Sequence, residues 1–183
     1  MNWLIAAIVV AIPGWAIFVY NRLVQDRNRI AQSWSDVDVQ LRRRHDLVPR
    51  LVELVKGYAS YEQALLTQVS ELRSQGQRLS HPGELAGVES SLGAAMQRVV
   101  AIAEAYPDLK ASENFLQLQR ELVETEDSIQ YARRYYNGAV NRFNTRIQSF
   151  PDMFIARLMA LRAVEFFELD QQAAAMVPAV KLP

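Results

Sequence analysis

His45 and His81 are the only imidazoles in this 183-residue chain, and the chain has no cysteine. Metal-dependent chemistry is the first possibility such side chains raise. A di-metal site in a helical bundle draws on Glu-x-x-His pairs projecting from facing helices. Here Arg42 stands three residues before His45 and Arg78 three before His81, so neither pair exists. The His45-Asp46 dipeptide suggests a metal-dependent phosphohydrolase, but that chemistry needs further histidines, and there are none. The absence of cysteine removes a thiolate metal site, a cysteine nucleophile and a lipoprotein cysteine. No glycine-rich phosphate loop and no Gly-x-Ser-x-Gly elbow is present. The expectation is therefore no catalytic residue, no metal site and no cofactor. A formal net charge of zero gives no general attraction to nucleic acid.

The remaining polar residues cluster in two places. Asn137, Asn141 and Asn144 recur at steps of four and three, beside Tyr136 and Phe143. Asp36, Asp38, Gln40, Arg43, His45 and Asp46 crowd an earlier segment. One reading makes both clusters interhelical hydrogen bonds and ion pairs that fix register, since a buried polar group without a partner costs ~1–3 kcal/mol. The other makes them a docking surface for a second protein. The asparagine stripe is also the one candidate for a small-molecule site between helices.

Helices must position these residues, because the apolar pattern is helical nearly throughout. Ile30, Trp34, Val37, Leu41, Arg44, Val48, Leu51, Val55, Tyr58, Glu62, Leu65, Val69 and Leu72 alternate at steps of four and three, all apolar but Arg44 and Glu62. The seam keeps its phase across Pro49, which favours one long kinked helix. The rival is a fresh start with Asp46 as N-cap and Pro49 in the first turn. Ser74 to Gly83 is a breaker cluster and reads as a loop. A further helix from about Glu84 to Tyr106 carries Leu85, Leu92, Met96, Val99 and Ile102, and Pro107 closes it. Another begins near Asp108 and runs to Phe150-Pro151, its apolar face built from Phe115 to Phe150. A short amphipathic piece spans Asp152 to about Leu161, and Asp170 to Pro183 reads as a flexible tail. The fold class expected is all-α, an elongated antiparallel bundle with long helices.

Ahead of that bundle, Trp3 to Tyr20 contains no charge. At about 1.5 Å per residue the run is about 27 Å long, close to the ~30 Å of a hydrocarbon core. Trp3 and Tyr20 sit where interfacial aromatics belong. A cleavable signal peptide is disfavoured, because no basic residue precedes the run and no small-residue cleavage site follows it. Arg22, Arg27 and Arg29 follow closely with no Lys or Arg ahead, which places the body on the cytoplasmic side and the N-terminus outside. The same arginines could contact anionic headgroups, although the topology signal alone explains them. The expected organisation is an anchor over 1–21, a helical body over 22–168 and the tail over 169–183.

Trp34-Ser35-Asp36-Val37-Asp38-Val39-Gln40-Leu41-Arg42-Arg43-Arg44-His45-Asp46-Leu47-Val48-Pro49 closely resembles the signature of the LemA family of bacterial membrane proteins. The likeness continues through Leu51-Val52-Glu53 and Val55-Lys56-Gly57-Tyr58-Ala59. It resumes at Tyr106-Pro107-Asp108-Leu109-Lys110-Ala111 and Asn114-Phe115, and runs on to Tyr136-Asn137, Phe143-Asn144 and Phe150-Pro151. The tail departs from the family by lacking a more charged ending. The resemblance implies a single-pass protein of the bacterial inner membrane with an all-helical cytoplasmic domain. It implies no settled activity and no catalytic residues. It also implies a hint of envelope stress, because some relatives are encoded near a membrane metalloprotease linked to heat shock. Taken with the residues, the expectation is a scaffold or adaptor that binds a membrane partner or itself, the alternative being a membrane-tethered ligand sensor.

Overall fold

The computed structural model describes residues 2–58 and 62–168, the side chains of residues 2 and 4–9 excepted. Every regular element among them is helical: α1 (Asn2–Lys56), α2 (Gln63–Gly76), α3 (Pro82–Ala103), α4 (Pro107–Lys110), α5 (Glu113–Gln148) and α6 (Met153–Leu158). The chain forms two compact units. The first comprises Met1–Asp38 with Tyr131–Phe166, and the second comprises Val39–Gln130 with Phe167–Pro183.

Helix α1 is 55 residues long and passes residue 21 and Pro49 without a break. Its seam is real as far as Val55: Ile30, Val37, Leu41, Arg44, Val48, Leu51 and Val55 are all buried. Beyond that point the single-helix expectation fails. Helix α1 ends at Lys56, and Tyr58 N–H closes a tight turn on the Val55 carbonyl at 3.0 Å. Gly57 is a poor helix former, and Tyr58 is exposed. Leu65, Val69 and Leu72 therefore belong to α2, a separate helix that packs on α3.

The loop between α2 and α3 is shorter than the breaker cluster suggests. Helix α2 runs through Gly76, and Pro82 opens α3, where its missing N–H leaves nothing unsatisfied. The helix expected from Asp108 divides into the four-residue α4 and the 36-residue α5. Ser112 Oγ accepts the Phe115 N–H at 3.3 Å and so caps the start of α5.

In the second unit the core gathers Val48, Leu51 and Val55 from α1, Leu66 and Val69 from α2, Leu92 and Val99 from α3, and Phe115 and Leu118 from α5. In the first unit the buried apolar residues include Val19, Leu23, Ile30 and Val37 of α1, Tyr136, Val140 and Phe143 of α5, and Ala156 of α6. Helices α1 and α5 run antiparallel in each. The pairs Arg43–Glu124 and Arg50–Glu121 show it in the second unit, and Asp26–Arg146 and Trp34–Tyr136 in the first.

Among the described residues no helix is long and apolar enough to cross a membrane. The side chains of 4–9, within the uncharged run from Trp3 to Tyr20, lie outside those residues, as does the tail from 169 onward.

Candidate functional site

The most unusual chemistry of the second unit is a buried ionic cluster fed by four helices. Arg44 and His45 are consecutive on α1, and both are buried. Between them and α3 stands Glu89, 0% exposed. Its two carboxylate oxygens take different partners: Arg44 Nη1 donates to Oε2 at 3.2 Å, and His45 Nε2 shares a hydrogen bond with Oε1 at 2.6 Å. The other guanidinium nitrogen of Arg44 donates to Glu126 on α5. From α2, Arg73 Nε donates to the backbone carbonyl of His45 at 2.7 Å.

Gly76 explains how α2 approaches so closely. A Cβ there would lie 2.7 Å from Glu89 Oε1 and 3.0 Å from His45 Nε2. Only a residue without a side chain leaves room for the imidazole–carboxylate pair. Burying these charges carries a heavy desolvation cost, which their mutual attraction and hydrogen bonds offset only in well-matched geometry. The arrangement therefore fixes which faces of α1, α2, α3 and α5 meet.

Beside this cluster, α3 and α5 border a cavity of about 260 Å³. Met96, Val100 and Leu122 supply apolar walls, while Arg44, Thr125 and Glu126 bring polar atoms to it. On the outer side of α5, Arg50 donates to Glu121, and this bond, with a second from Gln117, lowers the Glu121 carboxyl below its ordinary value.

The first unit is held differently. Tyr136 is buried against Trp34, ring centroids 5.2 Å apart, and its hydroxyl donates to the Glu165 carbonyl at 3.0 Å. Burial, and then the Glu165 charge, raise the Tyr136 phenol above its ordinary value. Asn144 makes a two-way clasp on Val164, its amide donating to the carbonyl and its oxygen accepting the N–H, both at 2.9 Å. Arg146 Nε lies 2.8 Å from Asp26 Oδ2 as a buried ion pair, though that oxygen accepts no hydrogen bond.

The residues singled out in the sequence divide sharply. His45 enters the ionic cluster, and Asn144 enters the clasp. Arg43 makes only an exposed pair with Glu124 at 3.7 Å. Asp36, Asp46 and Asn141 are exposed, and Asp38 and Asn137 are half-buried with partners. The asparagines thus have different surroundings, one exposed and two half-buried. Tyr20, Arg22, Arg27 and Arg29 are exposed along α1, as is Trp3. Arg44, Glu89, Glu126, Arg73 and Gly76 were not singled out as site residues. Arg44 had left a trace as the one charge in an otherwise apolar stretch of seam. Glu89 left a fainter one, falling at helical spacing between Leu85 and Leu92. Among the described residues, no group of three or more His, Cys, Asp and Glu side chains could hold a metal ion.

Comparison with known proteins finds one family and a small set of relatives. The LemA family model matches residues 33–182. Protein LemA of Metamycoplasma hominis is 29% identical over 166 residues, covering 86% of this chain and 74% of its own length. Magnetosome protein MamQ 2 of Paramagnetospirillum magneticum is 24% identical over 186 residues, covering 87% of this chain and 68% of its own. Magnetosome protein MamQ of Magnetospirillum gryphiswaldense is 24% identical over 174 residues, covering 81% and 64% respectively.

Proposed function

The chain belongs to the LemA family, and from that premise we propose that it is a membrane-anchored helical scaffold or adaptor without catalytic activity. Its anchor is the uncharged run Trp3 to Tyr20 at the start of α1. The body then lies on the cytoplasmic side of a bacterial inner membrane, the side favoured by Arg22, Arg27 and Arg29.

The observation that supports an interaction role is an exposed aromatic pair on α5. Tyr131 and Tyr135 are 74% and 58% exposed and lie one turn apart. The Arg134 guanidinium stacks over the Tyr131 ring at 4.9 Å. Tyrosine and arginine are the side chains that dominate binding hot spots, because they bury large areas while keeping a polar handle. The buried charges of the second unit, by contrast, are engaged with one another and read as architecture.

Crosslinking in intact cells, followed by capture of the full-length protein, tests this reading. A single stoichiometric protein partner, lost on Tyr131→Ala with Tyr135→Ala, identifies an adaptor, and one linked to envelope stress would fit the family hint. Recovery only of the protein crosslinked to itself identifies a self-assembling scaffold. No specific crosslink of either kind would remove the reading.

A second reading has its own observation. The cavity bordered by α3 and α5 suits a small, largely apolar ligand with one polar end facing Arg44 and Glu126. On this reading the ligand would sit there rather than at the asparagine stripe. Filling the cavity with Val100→Trp would abolish a saturable small-molecule interaction and leave crosslinking intact.

A further inference from the structure

Three large apolar side chains at the α5–α6 turn belong to no core. Phe150, Phe154 and Leu158 are 79%, 55% and 84% exposed. Phe154 and Leu158 lie one turn apart on α6, and Phe150 stands in the turn leading into it, while Ala156 is buried. Phe150 and Phe154 meet edge to face at 5.9 Å. Scattered exposed apolar residues need no explanation, but a contiguous stripe marks a surface that something covers.

The contacts within this unit locate the stripe along α1. They descend α1 as they advance along α5: Trp34 meets Tyr136, Asp26 meets Arg146, and Arg22 shares a shallow depression with Ser149 and Asp152. The turn that follows therefore reaches the level of Arg22, just past the end of the uncharged run. Val19 agrees with this. It is 2% exposed although its neighbours Phe18 and Tyr20 face outward. A lone helix cannot bury one of its own side chains so completely, so other residues pack over it. Basic residues flank the stripe, with Arg22, Arg142 and Arg157 all exposed, and the Arg22 guanidinium lying 5.6 Å from the Phe18 ring centroid. Asp152 is the one acidic residue in the same depression, half-buried.

We propose that the α5–α6 turn is a second membrane contact, with Phe150, Phe154 and Leu158 seated in the interfacial layer of the leaflet that α1 enters. The occupant of the stripe is lipid. An apolar stripe beside exposed arginines is the composition of a segment that lies in a bilayer interface, and the arginines meet anionic headgroups there. The position of the turn, at the level of Arg22 just past the uncharged run, puts the stripe close to the right depth. This inference rests on the anchor reading above. It adds that the first unit is held against the leaflet at two points.

The chain has no native cysteine, so single nitroxide labels can be placed on the full-length protein in vesicles of phosphatidylethanolamine and phosphatidylglycerol. Collision rates with oxygen, which concentrates in hydrocarbon, are compared with those of a water-bound nickel chelate. Ile12→Cys reports the anchor, Phe154→Cys the stripe, and Val123→Cys an exposed site on α5. The expected result is oxygen dominance at Ile12→Cys, an intermediate ratio at Phe154→Cys several-fold above that at Val123→Cys, and chelate dominance at Val123→Cys. A buried Ile12→Cys label with Phe154→Cys indistinguishable from Val123→Cys overturns the second contact and leaves the anchor standing. Chelate dominance at Ile12→Cys overturns the anchor instead. Strong spin–spin broadening at Phe154→Cys without oxygen dominance would show a second copy covering the stripe, and that too overturns the proposal.

Discussion

In the unit built on Val39–Gln130, the buried polar groups are largely charged and meet side chain to side chain across three helices, with a fourth joined through the His45 carbonyl. In the unit built on Met1–Asp38 and Tyr131–Phe166, two of the main polar contacts are neutral and end on backbone, at Val164 and Glu165. The first arrangement specifies which helix faces may meet, because each member has partners on other helices. The second ties an irregular segment after α6 to α5, and asks only that one amide and one phenol be in place. An ionic cluster fails together, whereas a backbone clasp fails one bond at a time. Arg146–Asp26 is the exception in the first unit, an ion pair in a region otherwise held by aromatic packing and amides.

The largest effect should come from removing the centre of the ionic cluster. Glu89→Ala leaves Arg44 and His45 buried without their shared acceptor, and breaking a buried pair in this way costs about 3–5 kcal/mol. Urea titration of the full-length protein in detergent would show a lowered midpoint. A loss below about 1 kcal/mol would mean that water replaces the carboxylate and that the cluster does little to specify packing. Gly76→Ala probes the same point from α2 through volume rather than charge. The added methyl would crowd Glu89 Oε1, and overpacking of this kind costs about 1–3 kcal/mol. In the Glu89→Ala background the same glycine change should cost less, because the nearest atom it strikes is gone and His45 has room to give way. Additive losses would show that the crowding lies elsewhere.

The difference between the units also governs what the sequence could reveal. The seam from Ile30 to Val55 was legible because seven-residue spacing survives on any one helix, and those positions are buried but for the half-buried Trp34. The break at Gly57 was not, since Tyr58, Leu65 and Val69 happen to keep the phase of a helix that has ended. Periodicity records spacing, and a break that preserves spacing is silent. Arg44 was visible as an anomaly, but its partner Glu89 is 45 residues away on another helix, and nothing local links the two. Gly76 read as a loop breaker because glycine usually is one. Its actual role depends on a carboxylate brought close by α3. The asparagine stripe was correct as spacing, yet its members see different surroundings. Asn144 reaches Val164 while Asn141 faces solvent, because three residues fall about 60° short of a full turn and Asn141 lies on the outer edge of the stripe.

That last contrast yields the next effect in size. Asn144→Ala strands both the N–H and the carbonyl of Val164, at a cost of about 1–3 kcal/mol. Asn141→Ala, on an exposed position, should stay within about 0.5 kcal/mol of the parent. Thermal unfolding of the two variants side by side separates a clasp from a mere repeat. Equal losses would mean that the stripe acts as a unit after all.

The smallest effects are set by pH, and they have opposite signs in the two units. Tyr136 has its phenol raised in the fold, so the unfolded chain ionises first. Its contribution is complete below the ordinary tyrosine value near ~10 and is lost as pH climbs through the raised value. Glu121 has its carboxyl lowered, chiefly by the Arg50 hydrogen bond. Its contribution is complete above the ordinary glutamate value near ~4.3 and is lost as pH falls through the lowered value. Tyr136→Phe should flatten the alkaline fall in melting temperature, at the cost of a lower plateau from the lost bond to Glu165. Glu121→Gln should flatten part of the acid fall and shift the plateau little, because a solvent-facing pair is screened. If Glu121→Gln moved the plateau as far as Tyr136→Phe, surface pairing on α5 would hold the second unit as strongly as buried contacts hold the first. The distinction between charged and neutral fastening would then be one of burial and no longer one of chemistry.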